Sequence, residues 1–314
     1  LGICNPSIYK DGDKLLVNLR NVEYALYHSE GEQKFPSRWG PLAYIHPEDD
    51  STLRTVNFLC ELDSKNLNIA NFSKIDTFEL DVEPIWTFIG LEDGRLVKWD
   101  NKLFLIGVRR DTTTNGEGRM EFSEIENNKE IKRTRIQHLP TTGYSYCEKN
   151  WMPILDMPYC FVKWTNPTEV VKANLEKNSA EQVFLGHNIV KLPRDIRGGS
   201  QVIPYKGFRV AIIHEVELYK SEGGFKDAQY YHRFIVWDKN WNIVKTSEDF
   251  KFFTSNIEFA CGIVEHEGNI LVTVGLQDSS AYLIRIPEEY FDELIGFNNK
   301  LENIKVSDLI RPGK

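Results

Sequence analysis

Glu92-Asp-Gly-Arg-Leu-Val-Lys-Trp-Asp-Asn-Lys-Leu-Phe-Leu-Ile-Gly-Val-Arg109 reads as a polar lead, a strand, a tight turn and a second strand ending on a charged residue. Four other segments share this layout: residues 5–20, 149–164, 198–214 and 259–278. Further apolar stretches with strand character lie between them, at 55–62 and 232–238. Short alternating apolar runs closed by turn signals, with 18 Phe, 13 Tyr and 7 Trp, favour β structure. About four strands per repeat predicts a radial array: an all-β, five-bladed β-propeller. The competing architecture is an irregular β-sandwich with accidental hairpins.

Helical periodicity stands out only near the C-terminus. In residues 287–295, Pro287 fits a first helical position and Glu288 and Glu289 fall in the first turn. The expected organisation is a propeller over 1–286 and a helical extension packed on it over 287–314. Residues 179–183 are ambiguous between helix and strand.

The 314 residues are 41% hydrophobic and 27% charged, with a net charge of -8. Basic clusters such as Arg109-Arg110 are short and set among acids, which argues against a nucleic-acid partner. No apolar run reaches the about 18 residues of a membrane span. The start, Leu1-Gly2-Ile3-Cys4, lacks Met and any signal-peptide pattern, and reads as an internal segment of a longer protein. The five cysteines form no Cys-x-x-Cys pair, and several sit in apolar runs. They read as reduced and buried, which points to a cytoplasmic location. The seven His residues have no ligand spacing, so no metal is expected.

The repeat layout carries a functional expectation. If the first strand of each unit lines a central channel, the polar leads share one mouth. An antiparallel hairpin returns the end of the second strand to that same mouth. Arg20, Asp93, Arg109, Lys149, Arg197, His214 and Asp278 are thereby expected to converge, and convergent charges in a concavity suit chemistry.

Individual motifs have two readings each. Glu92-Asp93-Gly94-Arg95 offers a carboxyl in a cationic setting for proton transfer, or an Asp-Gly turn. Arg109-Arg110 offers bidentate anion binding, or surface salt bridges. Lys149-Asn150-Trp151 combines a cation, an amide and an indole suited to sugars, or holds a buried Trp beside a solvated Lys. Arg197-Gly198-Gly199 permits close backbone approach. His214 ends an apolar strand, His232 lies in an aromatic and cationic cluster (230–234), and Glu258 leads the last unit.

In order along nearly the whole chain, these residues resemble the five-bladed propeller family of β-mannoside phosphorylases and hydrolases and the related β-1,2-mannosyltransferases. The matching elements are Asn5-Pro6-Ser7 with Arg20-Asn21, Arg54-Thr-Val-Asn57, Glu92-Asp-Gly-Arg95, Lys149-Asn150, Gly198-Gly199, His214-Glu215, Glu258 with Gly262, and Gly275-Leu-Gln-Asp278. Gly94 stands where the family has Pro. The Lys-Asn-Trp-Met-Pro and Ile-Glu-Phe-Ala-Cys-Gly forms look like a branch often joined to glycosyltransferase domains, a possible fused partner.

The resemblance implies a carbohydrate-active enzyme of mannoside type, a glycosyltransferase or glycoside phosphorylase serving polysaccharide biosynthesis. Asp93 maps onto the catalytic acid. Asn57 and Asp278 would hold sugar hydroxyls, with Asn5, Arg20, Glu92, Arg95, Trp151 and Glu258 as further substrate contacts. Arg109, Lys149 and His214, with Arg197 and His232, would bind phosphate. No cofactor is implied beyond inorganic phosphate or a sugar nucleotide as co-substrate. An inverting hydrolase needs a second carboxylate to activate water, for which Glu258 and Glu215 are candidates. The alternative reading is a non-catalytic propeller that binds a glycan or protein and positions a fused glycosyltransferase domain.

Overall fold

The computed structural model describes residues 2–27, 33–137, 145–187 and 189–297. The first sheet contains β1 (Gly2–Asp11) and β2 (Lys14–Val22). The chain then leaves for a separate three-stranded sheet, β3 (Ala25–Tyr27), β4 (Gln33–Phe35) and β5 (Leu42–Ile45). It returns through β6 (Leu53–Leu62) and β7 (Ile69–Lys74), and β8 (Phe88–Ile89) adds a short parallel pairing to β6. The second blade is β9 (Glu92–Trp99), β10 (Lys102–Arg109), β11 (Arg119–Glu126) and β12 (Lys129–Arg135). The third is β13 (Met152–Pro153), β14 (Cys160–Trp164), β15 (Glu169–Asn174) and β16 (Ser179–Leu185). The fourth is β17 (Asp195–Gly198), β18 (Ile203–Tyr205), β19 (Phe208–Lys220), β20 (Lys226–Trp237) and β21 (Ile243–Thr246). The last blade is β22 (Glu258–His266), β23 (Asn269–Leu276) and β24 (Ser280–Pro287).

The protein is thus an all-β five-bladed propeller with one short helix, α1 (Glu288–Leu294). The inner strands begin where the repeats predict. One detail differs from expectation: the last blade has three strands among the described residues rather than four. Residues 179–183, ambiguous in the sequence, belong to strand β16. Phe291 of α1 is buried against Tyr205 and Phe234, so the helix packs on the propeller. The extension expected at 298–314 lies outside the described residues. Among the described residues no helix is long and apolar enough to cross a membrane.

Hairpin chemistry sets the strand ends. Asp100-Asn101, Asn127-Asn128, Lys206-Gly207 and Glu267-Gly268 each place two successive residues at positive φ. That is the requirement of the two-residue turn whose twist matches its strands. The core then follows from the period of two, because blades bury both faces. In β19, Val210 and Ile212 face the last blade, while Ala211 and Ile213 face the third. In β10, Phe104 and Ile106 pack toward Trp151 and Phe161, while Leu105 packs toward Leu16 and Leu59 of the first blade. Every seam between blades holds such a cluster. The ring closes where Ile8, Leu15 and Val17 meet Val264 and Leu271.

The channel axis is filled by side chains rather than left open. Gln201 is fully buried; its amide donates to the carbonyls of Ile8 (2.7 Å) and Leu96 (3.0 Å) and accepts from the Ile263 N–H (3.3 Å). One residue of the fourth blade therefore ties the first, second and last blades together.

Gly262 lies at the closing seam, where a Cβ would sit 2.5 Å from the Ile8 nitrogen and 2.6 Å from Thr273 Oγ1. Overpacking of this kind costs about 1–3 kcal/mol. Gly262→Ala is expected to lower the denaturant midpoint correspondingly; an unchanged midpoint would show that the seam relaxes freely.

Candidate active site

Asn5 and Asp93 lie on inner strands, each within a β-bulge. The β1–β2 register slips between Cys4 and Ser7, and the β9–β10 register between Ile106 and Val108, opposite Asp93 and Gly94. A bulge turns its extra side chain out of the ladder. Both residues have left-handed backbone, with φ of 42° and 51°. Asn and Asp tolerate that region best among residues carrying a Cβ. Asn150, just before β13, and Asp278, in the turn after β23, are left-handed too, at 62° and 51°.

These residues from four blades line one cleft of about 280 Å³, together with Arg20, Glu92, Lys149, Arg197 and His214. Two excursions raise its walls. Tyr24 and Tyr44 come from the β3–β5 region, and Lys226 and Tyr230 from the long β19–β20 hairpin. The excursions meet where the Lys226 N–H donates to the Pro41 carbonyl at 3.2 Å.

Charge divides around the ring. Carboxylates come from neighbouring blades: Glu92 and Asp93 from the second, Asp278 from the last, with Arg20 between them on the first. Asp93 Oδ1 accepts from Asn5 Nδ2 and from Arg20 Nη1, each at 2.7 Å. Burial alone would raise the Asp93 pKa. The charges of Arg20, Lys149 and Arg95 and the Asn5 hydrogen bond outweigh it and hold the carboxyl below its usual value. Asp93 is therefore ionised at neutral pH.

The other two carboxyls shift the opposite way. Burial raises Glu92 against the pull of Arg20 and Arg110. Its Oε2 lies 3.7 Å from Arg20 Nη2, and Oε1 has no partner among the described residues. Burial also raises Asp278, with Asp93 adding to the effect against Arg20. Asn5 Nδ2 reaches Asp278 Oδ1 at 3.5 Å, so one amide spans two carboxyls of unlike acidity.

The facing arc, from the third and fourth blades, is cationic. Lys149, Arg197 and Lys226 line it with no ion pair among the described residues, and the Asp227 carboxylate lines the cleft beside Lys226, accepting from the Tyr219 hydroxyl at 2.9 Å. Burial, then Arg197 and Lys149, lowers the Lys226 pKa, so the three charges feel one another. His214 is buried, stacked on Tyr230 (centroids 5.1 Å) and edge-on to Phe259 (4.8 Å). Burial and then Arg197, His232 and Lys149 push its pKa well below the usual value. His214 is a neutral hydrogen-bonding group, and its Nδ1 has no partner among the described residues.

Six residues expected at the site lie away from this cleft. Arg109 is buried in the seam between the first two blades, 2.5 Å from Glu121 and 3.5 Å from Asp111. Its neighbour Arg110, on the opposite face, lines the cleft instead. Asn57 bonds Asn18 (3.0 Å) and the Leu91 carbonyl (2.9 Å). Arg95 is buried in the channel on the carbonyls of Gly199 (2.7 Å) and Asp93 (2.7 Å). Trp151 is core, donating to Glu148 at 3.2 Å. Glu258 accepts the N–H groups of Phe252 (2.7 Å), Phe253 (3.1 Å) and Ser255 (3.1 Å). His232 Nε2 accepts from the Ala260 N–H at 3.1 Å, with its ring against Phe252. Glu215 is also engaged, with Arg233 and Arg194. Sequence reasoning missed Tyr24, Tyr44 and Lys226; Arg110 and Tyr230 belong to motifs it singled out, Arg109-Arg110 and residues 230–234, without being assigned to the site themselves. Among the described residues no group of three or more His, Cys, Asp or Glu could hold a metal ion.

No protein-family model matches this chain, and no curated protein matches it in sequence. Solved structures resemble it in fold. β-1,2-Mannobiose phosphorylase from Listeria innocua, solved with β-1,2-mannobiose, is 11% identical with a TM-score of 0.54 over 95% of this chain and 93% of that one. A glycosyl hydrolase from Bacteroides ovatus is 11% identical with a TM-score of 0.54 over 92% and 84%. A structure of the GH130 family of mannoside phosphorylases, which contains glycoside hydrolases that target β-1,2 mannosidic linkages in Candida mannan, is 12% identical with a TM-score of 0.54 over 92% and 85%. At these identities the likeness is one of fold.

Removing Arg20 strands two buried carboxyls. Arg20→Met is expected to cost about 3–5 kcal/mol at pH 7. With Arg20 present, the depressed Asp93 pKa stabilises the fold above the unfolded value of about 3.9. That contribution is lost as pH falls through the folded pKa. In the variant burial dominates and the carboxyl protonates at higher pH, so the gap between the two proteins should narrow on acidification. Denaturant titrations at several pH values check this; a gap that stays constant would exclude the linkage.

Proposed function

We propose that this protein is a carbohydrate-active enzyme that makes or breaks a glycosidic bond with inversion, with Asp93 as the acid/base. The observation that carries the proposal is the division of one small cleft into a carboxylate arc around Arg20 and an arc of three cations, Lys149, Arg197 and Lys226, with Asp227 beside them. In-line displacement at an anomeric carbon needs a proton acceptor on one side and an anion-stabilising wall on the other.

In the synthetic direction the acceptor hydroxyl oxygen attacks the anomeric carbon. Its proton passes to Asp93, directly or through a sugar hydroxyl. The bond from the anomeric carbon to the phosphate oxygen breaks, and the electron pair leaves with the phosphate toward Lys149, Arg197 and Lys226. His214, being neutral, would donate a hydrogen bond to that anion rather than add a charge. Asn5, Glu92, Asp278 and Tyr230 would hold sugar hydroxyls. A carboxylate ionised in the free protein is ready as a base, which favours synthesis over cleavage. Glu215 and Glu258 are both engaged away from the cleft, which disfavours them as the second carboxylate of a hydrolase. The phosphorylase from Listeria innocua, similar in fold, is named for a β-1,2-linked mannobiose. A mannoside-type substrate is accordingly proposed here, with inorganic phosphate or a sugar nucleotide as co-substrate.

Wild type and Asp93→Asn should be incubated with sugar 1-phosphates, sugar nucleotides and simple acceptors while phosphate or nucleotide release is followed. We expect donor-specific release that falls about 10²–10⁴-fold in the variant, with ligand binding retained. Because the base acts ionised, kcat/KM for synthesis should hold as pH falls through about 4 and drop only below it. Release from no donor, with glycan binding still measurable, would instead establish a non-catalytic binding propeller.

A further inference from the structure

A second groove, of about 880 Å³, runs outward between the third and fourth blades and joins the central cleft at Lys149, Asn150 and Arg197, which line both. It is about three times the volume of the cleft it joins. Trp164 lies two residues beyond Val162, the partner of Met152, and lines the groove together with Asn150. Trp164 is 50% exposed and Ile189, also on the groove, is 73% exposed. Lys163, one residue earlier, turns inward to Trp151, as strand alternation requires. The groove therefore begins at two cations, Lys149 and Arg197, and carries the half-exposed Trp164 indole on its wall, with the carboxylates Glu148 and Asp195 also in its lining. Lys191 adds a further cation on its wall.

Where the groove opens limits what can occupy it. In an inverting transfer the acceptor approaches from the face that carries the base, which lies on the carboxylate arc. The leaving phosphate departs toward the cationic arc. Whatever extends from the cationic arc is attached to that phosphate. Inorganic phosphate has nothing to extend, whereas a nucleotide has a planar base that stacks on aromatic side chains.

We propose that the groove between the third and fourth blades is the nucleoside pocket for a sugar-nucleotide donor, with Trp164 stacking on the base and Lys149 and Arg197 holding the diphosphate. This rests on the reading of the central cleft as a glycosyl-transfer site.

The test is titration calorimetry of GDP, UDP, ADP and inorganic pyrophosphate against wild type, Trp164→Ala and Trp164→Phe at fixed ionic strength. At least one nucleoside diphosphate is expected to bind tenfold or more tightly than pyrophosphate. Trp164→Ala should lose roughly that factor, leave pyrophosphate unchanged, and be rescued by Trp164→Phe. Half-exposed Trp164 is a mild site to substitute, and unchanged pyrophosphate binding doubles as the folding control. Nucleoside diphosphates that bind no better than pyrophosphate to wild type would overturn the proposal, as would a Trp164→Ala effect confined to glycan acceptors. If sugar 1-phosphates are turned over while nucleotides show no preference, this inference alone fails. If no anion binds and no donor is turned over, the glycosyl-transfer reading fails with it.

Discussion

The guanidinium of Arg95 sits in the channel, where it bonds the Gly199 carbonyl through Nε (3.0 Å) and Nη2 (2.7 Å) and the Asp93 carbonyl through Nη1 (2.7 Å). A buried cation tolerates such a place only when its donors are met. Meeting them requires the backbone of the fourth blade to approach the axis closely. Gly199 allows this: a Cβ there would lie 2.4 Å from the Ile212 carbonyl oxygen. With Gln201 next along the axis, this polar core replaces the apolar packing that a ring of strands cannot supply at its own centre. The same guanidinium grips the carbonyl of Asp93, so ring closure and placement of the proposed acid/base are one constraint.

Left-handed backbone at the cleft follows from that geometry. Asn5 and Asp93 leave their ladders at bulges, and Asn150 and Asp278 sit at strand ends. Each conformation is unfavourable for a residue with a Cβ, and such residues persist where the surroundings over-determine them. Here the surroundings are the hydrogen bonds from Asn5 and Arg20 onto Asp93 and the close contact of Gly275 with Asn5. The positions of the functional groups are thus set by backbone distortions held rigidly from below, rather than by long flexible side chains.

The propeller was legible because each hairpin carries its own turn chemistry and each strand its own apolar run. Arg20, Asp93, Lys149, Arg197, His214 and Asp278 could be placed at one channel mouth by counting from the turns, while Asn5 and Glu92 came from the family resemblance. Counting failed where a single residue of slip decides the face. Arg109 and Arg110 alternate at the end of β10, so that one enters a seam and the other the cleft, and the strand pattern alone did not say which. Glu258 looks like another polar lead, yet its carboxylate folds back onto a loop just before it in the chain. Lys226 was invisible for another reason, and Tyr230 was noted only as part of an aromatic and cationic cluster. They reach the cleft because β19 and β20 run 13 and 12 residues, beyond the length of a blade, and strand length is not periodic information.

The electrostatic asymmetry of the cleft follows from which blades are neighbours. The first, second and last blades are contiguous around the ring and bring Glu92, Asp93 and Asp278 close to Arg20. The third and fourth blades bring Lys149, Arg197 and Lys226, with Asp227 beside them, and burial followed by repulsion from Arg197 and Lys149 lowers the Lys226 pKa. An anion placed among the three relieves that repulsion and meets a neutral His214 able to donate a hydrogen bond. Across the cleft Asp93 stays ionised, because Arg20 and Asn5 bond it directly and Lys149 reaches it through space. One cation thus serves both sides: Lys149 lowers the pKa of the proposed base and belongs to the wall that would receive the leaving group. Departure of an anion from that wall would strengthen the pull of Lys149 on Asp93, coupling release of one product to deprotonation of the base for the next turnover.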